Sequence, residues 1–146
     1  MSLVLATDFP RWTRSKLGLP PDGDLAYEIE VAIDRAVDHV RDLIGVAAYD
    51  ALALDTVANT PRRKRLKRAL VALIESRLHD LAAEHAGARV GSTTQGRRSK
   101  TFGTEAITTS RRASSRAFSD YATEMFALGH TVRPEATSIH YTVVER

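Results

Sequence analysis

The chain contains no cysteine, so neither a disulfide framework nor a thiolate metal site is available to it. That absence fits a cytosolic origin. Long apolar runs are also missing: nothing approaches the roughly 18 residues of a membrane-spanning helix. The opening residues, Met1 to Asp8, carry no basic segment ahead of their short apolar patch, and Asp8 and Pro10 interrupt it. A signal peptide is not expected, and the chain reads as a soluble intracellular product. Aromatics make up only 6% of the sequence. Phe102 alone interleaves with the most basic region, which argues against base stacking on single-stranded nucleic acid. No repeat at solenoid periods is present, and the only compositional bias is Ser/Thr/Arg over residues 91–119.

What is there fits one domain. A chain of 146 residues buries roughly 68–70% of its unfolded surface, enough for a core without staples. The net charge of +3 hides an asymmetry. Residues 1–59 hold 5 Lys/Arg against 10 Asp/Glu, residues 60–116 hold 14 against 4, and residues 117–146 hold 2 against 4. Such a split favours contact with a polyanion, or acid-to-base packing between copies of the same chain.

The periodicity predicts a mainly α fold, a small helical bundle of three long helices plus a short one. Residues 1–23 form an N-terminal arm that Phe9, Trp12 and Leu17 anchor, ending in the turn Pro20-Pro21-Asp22-Gly23. Asp22 or Asp24 caps a first helix to about Leu43. Its stripe of Leu25, Ile29, Ile33, Ala36, Val37, Val40, Leu43 and Ile44 recurs at three and four, and Gly45 ends it in a left-handed conformation. Val46 to Leu54 suits a short helix. Thr60-Pro61 is a start signal, the threonine accepting from a first-turn amide and the proline taking the first helical position. The stripe Leu66, Ala69, Leu70, Leu73, Ile74, Leu78, Leu81 and Ala82 then runs to a stop at Gly87. Residues 88–105 hold three glycines, many hydroxyls and few apolar side chains. They read as an extended polar loop or weak β-hairpin, the kind of loop that is usually functional. A third helix is expected from Thr108–Ser110 to Leu128, with a stripe of Ala113, Ala117, Phe118, Tyr121, Ala122, Met125 and Phe126, closed by Gly129. The tail of residues 130–146 alternates at Ile139, Tyr141 and Val143 and reads as a strand. The helical domain thus spans 24–129, with the loop inside it.

No catalytic constellation emerges. Gly91-Ser-Thr-Thr-Gln-Gly96 has P-loop glycine spacing, but Arg97 and Arg98 stand where Lys and Ser/Thr belong, and no strand precedes it. The five histidines never place two ligands on one helical face, so neither a metal nor a cofactor is expected. No nucleophile elbow appears. The Gly45 to Pro61 connection is too long for a helix-turn-helix.

The densest chemistry is Arg62, Arg63, Lys64, Arg65, Lys67 and Arg68, in the first turns of a helix. There the helix dipole disfavours cations by a few tenths to about 1 kcal/mol each. The block is either a solvated face or a contact for phosphates or an acidic protein face. Asp34, Asp38 and Asp42 on the first helix are candidates for that acidic face. Arg97, Arg98 and Lys100, then Arg111, Arg112 and Arg116, extend the basic region.

This order of elements resembles the head–tail connector (adaptor, or head-completion) family of long-tailed bacteriophages. The resemblance spans roughly residues 24–129. It rests on the acidic first helix Asp24 to Ile44, the second long helix ending in Gly87, the loop Val90-Gly-Ser-Thr-Thr-Gln-Gly…Thr101-Phe, and a helix closing at Leu128-Gly129. The two arginines after Gly96 depart from the family's loop. The family forms rings of about a dozen copies beneath the portal, so the resemblance implies a structural virion protein, not an enzyme. It would sit at the neck of the virion after synthesis in the host cytoplasm, lining the DNA channel without touching a membrane. Its partners would be its own copies in a dodecameric ring, the portal, tail or stopper proteins, and the passing DNA. Three working contacts follow. The acidic helix meets the basic block of a neighbour; Thr93, Thr94, Gln95, Arg97, Arg98 and Lys100 face the channel or an adjacent ring; and Ile139, His140, Tyr141, Thr142, Val143 and Val144 dock on a partner's sheet edge. The rival expectation is a small basic accessory protein that binds nucleic acid.

Overall fold

The computed structural model describes residues 3–92 and 97–132. A 3-10 turn at Ala6–Asp8 precedes five helices: α1 (Arg14–Leu17), α2 (Leu25–Ile44), α3 (Val46–Ala53), α4 (Thr60–Ser92) and α5 (Arg97–Ala127). The fold is mainly helical, and no strand occurs among the described residues. The expected terminal strand at residues 138–144 lies outside them.

α2 forms where its stripe and caps place it. The Asp24 carboxylate accepts from the Tyr27 amide at 3.1 Å, satisfying a first-turn donor. Ile29, Ala32, Ile33, Ala36 and Val40 are buried, one face of a 3.6-residue period. Gly45 ends the helix with φ 93° and ψ 144°, so its positive φ leads into extended backbone instead of the left-handed helical turn expected. α3 follows at once.

The start of α4 differs from expectation. Thr60 is the first helical residue, and its hydroxyl donates back to the Thr56 carbonyl at 2.9 Å instead of accepting a first-turn amide. Asn59 ties the two helices together. Its side-chain amide donates to the carbonyls of Ala51, Leu52 and Leu54 at 3.2, 2.8 and 2.8 Å, groups that the end of α3 leaves without helical partners. Arg63 adds a bond from Nε to the Ala53 carbonyl at 3.1 Å.

The largest correction concerns residues 88–105. Residues 88–92 and 97–105 are helical, neither an extended loop nor a hairpin of strands, and residues 93–96 lie outside the described residues. α4 runs through Gly87 to Ser92, and α5 begins at Arg97, more than ten residues before its expected start. Arg65 meets Glu124, Ser76 meets Ser114 and Asp80 meets Arg111, so α4 and α5 form an antiparallel helical hairpin. With 33 and 31 residues the helices are about 50 and 46 Å long, and α2 at about 30 Å cannot cover the whole pair. Small residues let the two axes approach: Ala69, Ala83 and Ser76 on α4 and Ser114 on α5 are buried. The Ser76 and Ser114 hydroxyls bond each other at 3.0 Å. A methyl added at Gly87 would meet Ile107 Cδ1 at 3.9 Å, an ordinary contact, so this glycine is simply a helical residue. Helix α5 does stop near the expected place, where Gly129 adopts φ 94° and the His130 amide bonds the Met125 carbonyl.

The core sits around α4. Leu66, Leu70, Ile74 and Leu78 are wholly buried, each worth roughly 1.5–3 kcal/mol of transfer free energy. α2 covers one side of them, α5 a second, and the N-terminal arm with Val4, Phe9, Trp12 and Leu17 a third.

Candidate interaction surfaces

Every residue of the basic block lies in the first turns of α4, but the six cations are not equivalent. Arg65 pairs with Glu124 at 2.9 Å, Arg68 with the same carboxylate at 3.4 Å, and Lys67 with Asp8 at 3.7 Å. Arg63 is engaged with the end of α3. Arg62 and Lys64 are exposed and enter no ion pair among the described residues. Half-exposed bridges of this kind contribute about 0–1 kcal/mol each. Their effect is to neutralise part of the block from within the chain, through acids far away in sequence.

Asp34, Asp38 and Asp42 are exposed and share the outer face of α2 with Glu30. Four carboxylates at four-residue spacing form a ridge about 18 Å long. None of them enters an ion pair among the described residues. Like charges at this spacing cost a few tenths of a kcal/mol per pair.

Of the six residues expected on a polar loop, Arg97, Arg98 and Lys100 belong to the first turn of α5, at the tip of the hairpin. Thr93, Thr94 and Gln95 lie outside the described residues, as do Ile139, His140, Tyr141, Thr142, Val143 and Val144.

A groove that the sequence did not announce runs along α4 between the N-terminal arm and α5. Its volume is about 1070 Å³. Val71, Ala72, Ala113 and Ala117 are apolar lining residues, while Arg11, Lys16, Lys64 and Arg116 bring cations to it. The arm wall is pinned at Trp12. Its indole Nε1–H donates to Glu75 Oε2 at 2.9 Å, its ring meets the His79 ring edge-on at 4.8 Å, and the Lys16 ammonium sits 4.7 Å from the ring centre. Further along, His85 Nδ1–H donates to the Leu17 carbonyl at 2.7 Å. Two histidines of α4 therefore hold the arm, and no group suited to a metal ion occurs among the described residues.

On the other side of α4, Tyr121 is wholly buried against His39 and Phe118. Its hydroxyl and the Arg77 Nε find no hydrogen-bond partner among the described residues. Burial pushes the Tyr121 pKa up to about 12, against the nearby Arg77.

Burial also pulls His39 below its usual value, with Arg77 adding to the effect and Asp42 opposing it. His79 is lowered in the same way by burial, against Glu75 and with Lys16. The native state thus binds fewer protons than the unfolded chain as pH falls through about 6.5. Their contribution to stability is complete above that value and is lost progressively towards the folded-state pKa values. Urea unfolding midpoints are expected to drop between about pH 7 and pH 5. A midpoint that rises over that interval would contradict the assignment.

An apolar end completes the surface. Leu43, Val46, Leu54, Val57 and Phe126 are exposed, and all five lie towards the open end of the hairpin, where α4 begins and α5 ends. No helix among the described residues is long and apolar enough to cross a membrane. No family model, curated protein or solved structure matches the chain.

Proposed function

We propose that the protein is a structural virion component, a ring-forming head–tail connector that joins the portal to the tail or neck and lines the DNA channel. The observation that carries this reading is the separation of charge on a packed helical body. An unpaired acidic ridge lies on α2 and a basic surface spans α4 and α5, so copies of one chain have complementary faces to present to each other. The start of α5, with Arg97, Arg98 and Lys100, supplies the channel-facing or ring-facing contact. The segment after Val132, with Ile139 to Val144, serves as the docking tail for the portal or a neck protein. Partners are other copies of the chain, the portal, a tail or stopper protein, and DNA.

The test is electron microscopy of the concentrated protein, alone and with the portal protein encoded in the same genome. Rings seated on the portal are the expected result. Absence of the protein from purified particles by mass spectrometry would sink the reading. One observation favours a second function, a nucleic-acid-binding accessory protein: Arg111, Arg112 and Arg116 are exposed together on α5. Steeply salt-dependent binding of the monomer to duplex DNA, with no ring under any condition, would select it.

A further inference from the structure

The acidic ridge of α2 and the groove beside the arm lie on opposite sides of the molecule. Arg77 of α4 feels Arg35 and the His39 imidazole, both on α2. Glu75 and His79, which line the groove, each stand two residues from Arg77, roughly 160° away around the helix axis by the nearer route. The ridge points out from α2 in one direction, and the groove opens in the other.

The charges on these two surfaces are complementary and unspent. On the groove rim the carboxylates are mostly committed: Glu124 to Arg65 and Arg68, Asp8 to Lys67, and Glu75 to Trp12. Arg11, Lys64 and Arg116 on the same rim enter no ion pair among the described residues. From Lys64 to His79 the groove follows α4 for about 22 Å, which accommodates a ridge of about 18 Å. The apolar floor also needs a partner. Tyr27, 61% exposed, and the half-exposed Val31 stand beside the carboxylates on the outer face of α2.

From this juxtaposition we infer that the groove between the N-terminal arm and α5 receives the outer face of α2 from a second copy of the chain. The contact is heterologous. Because the two surfaces face opposite ways, a two-fold dimer cannot satisfy both, and the contact propagates from copy to copy until it closes. The carboxylates of Asp34 and Asp38 meet Lys64 and Arg116, and Tyr27 and Val31 lie on the Ala113 and Ala117 floor. This deepens the ring assembly proposed above by naming both halves of its interface.

The cysteine-free sequence makes the test direct. Full-length Asp38→Cys and Ala113→Cys proteins are mixed at high concentration and treated with a short bismaleimide. The expected product is a dimer joining one variant to the other, with neither variant linking to itself. Lys64→Glu with Arg116→Glu is expected to weaken self-association by roughly tenfold or more. Adding Asp34→Lys and Asp38→Lys to the partner copy is expected to restore it. Links only between identical variants, no link at all, or no rescue by the second charge swap would each overturn the inference. Rings that assemble on the portal without this cross-link leave the connector reading standing and remove this interface. The cross-link and rescue in a protein absent from virions do the reverse.

Discussion

Trp12→Ala is expected to lower the stability of the folded chain by about 3–5 kcal/mol, the range for emptying a buried indole site. Trp12 is only 3% exposed, and two of its contacts reach α4 while a third ties it to Lys16 of the same arm. It bonds Glu75, packs on His79 and lies under Lys16. Truncation leaves a cavity beside α4 and returns the Glu75 carboxylate to water or to His79. Denaturant unfolding at about neutral pH, where both histidines contribute fully, reads the loss. Trp12→Phe keeps an aromatic in the site but loses the donor and part of the ring volume, so a smaller cost than that of alanine, about 1–3 kcal/mol, is expected. If Trp12→Ala costs under 1 kcal/mol, the arm is not part of the core.

The consequence reaches the surface. Phe9, Pro10 and Arg11 form one wall of the groove, and they are positioned by the same arm that Trp12 pins. An arm that lifts away leaves α4 exposed and removes the wall without altering any charge on α5. Assembly is therefore expected to fail in Trp12→Ala even at temperatures where the helices remain folded.

What was legible in the sequence was what local chemistry decides. α2 carries its stripe, a cap at Asp22 or Asp24 and its Gly45 stop within one window, and the structure selects Asp24, leaves Leu43 exposed at the end of the stripe and gives the glycine another conformation. The basic block is visible for the same reason. Its partners are not, because Glu124 and Asp8 reach it only after α5 folds back along α4 and the arm closes over it. The groove is still less legible, since three separate elements build it and none signals it alone. The error at residues 88–105 has a different cause. Gly87, Gly91 and Gly103 have the look of breakers, and serines and threonines that of loop chemistry, which is what weak helix propensity says of an isolated peptide. Each of two antiparallel helices supplies the other with a packing surface, and that tertiary pairing outweighs a deficit of about 1 kcal/mol per glycine. Small and hydroxylated residues even suit such a pair, as the Ser76–Ser114 contact shows.

Two substitutions in α5 distinguish the helical hairpin from a polar loop by the sign of their effects. Thr104 is the eighth residue of the helix, well inside its first turns. Thr104→Pro removes an amide donor and sets the ring against the carbonyl four residues earlier, at a cost of about 3 kcal/mol. Gly103→Ala replaces the poorest non-proline helix former with the best, and is expected to stabilise by about 1 kcal/mol. In an extended loop the pattern inverts. Proline is then neutral or stabilising by under about 1 kcal/mol, while alanine at a glycine of positive φ destabilises. Thermal unfolding followed at 222 nm reads both variants, and far-ultraviolet ellipticity of the folded proteins shows whether the helix before residue 104 survives. If the tip frays instead of taking the whole molecule with it, Thr104→Pro loses ellipticity with a smaller change in midpoint. Gly103→Ala keeps its sign in that case. Proline tolerated and alanine harmful together would return residues 88–105 to a loop, and with them the surface that carries Arg97, Arg98 and Lys100.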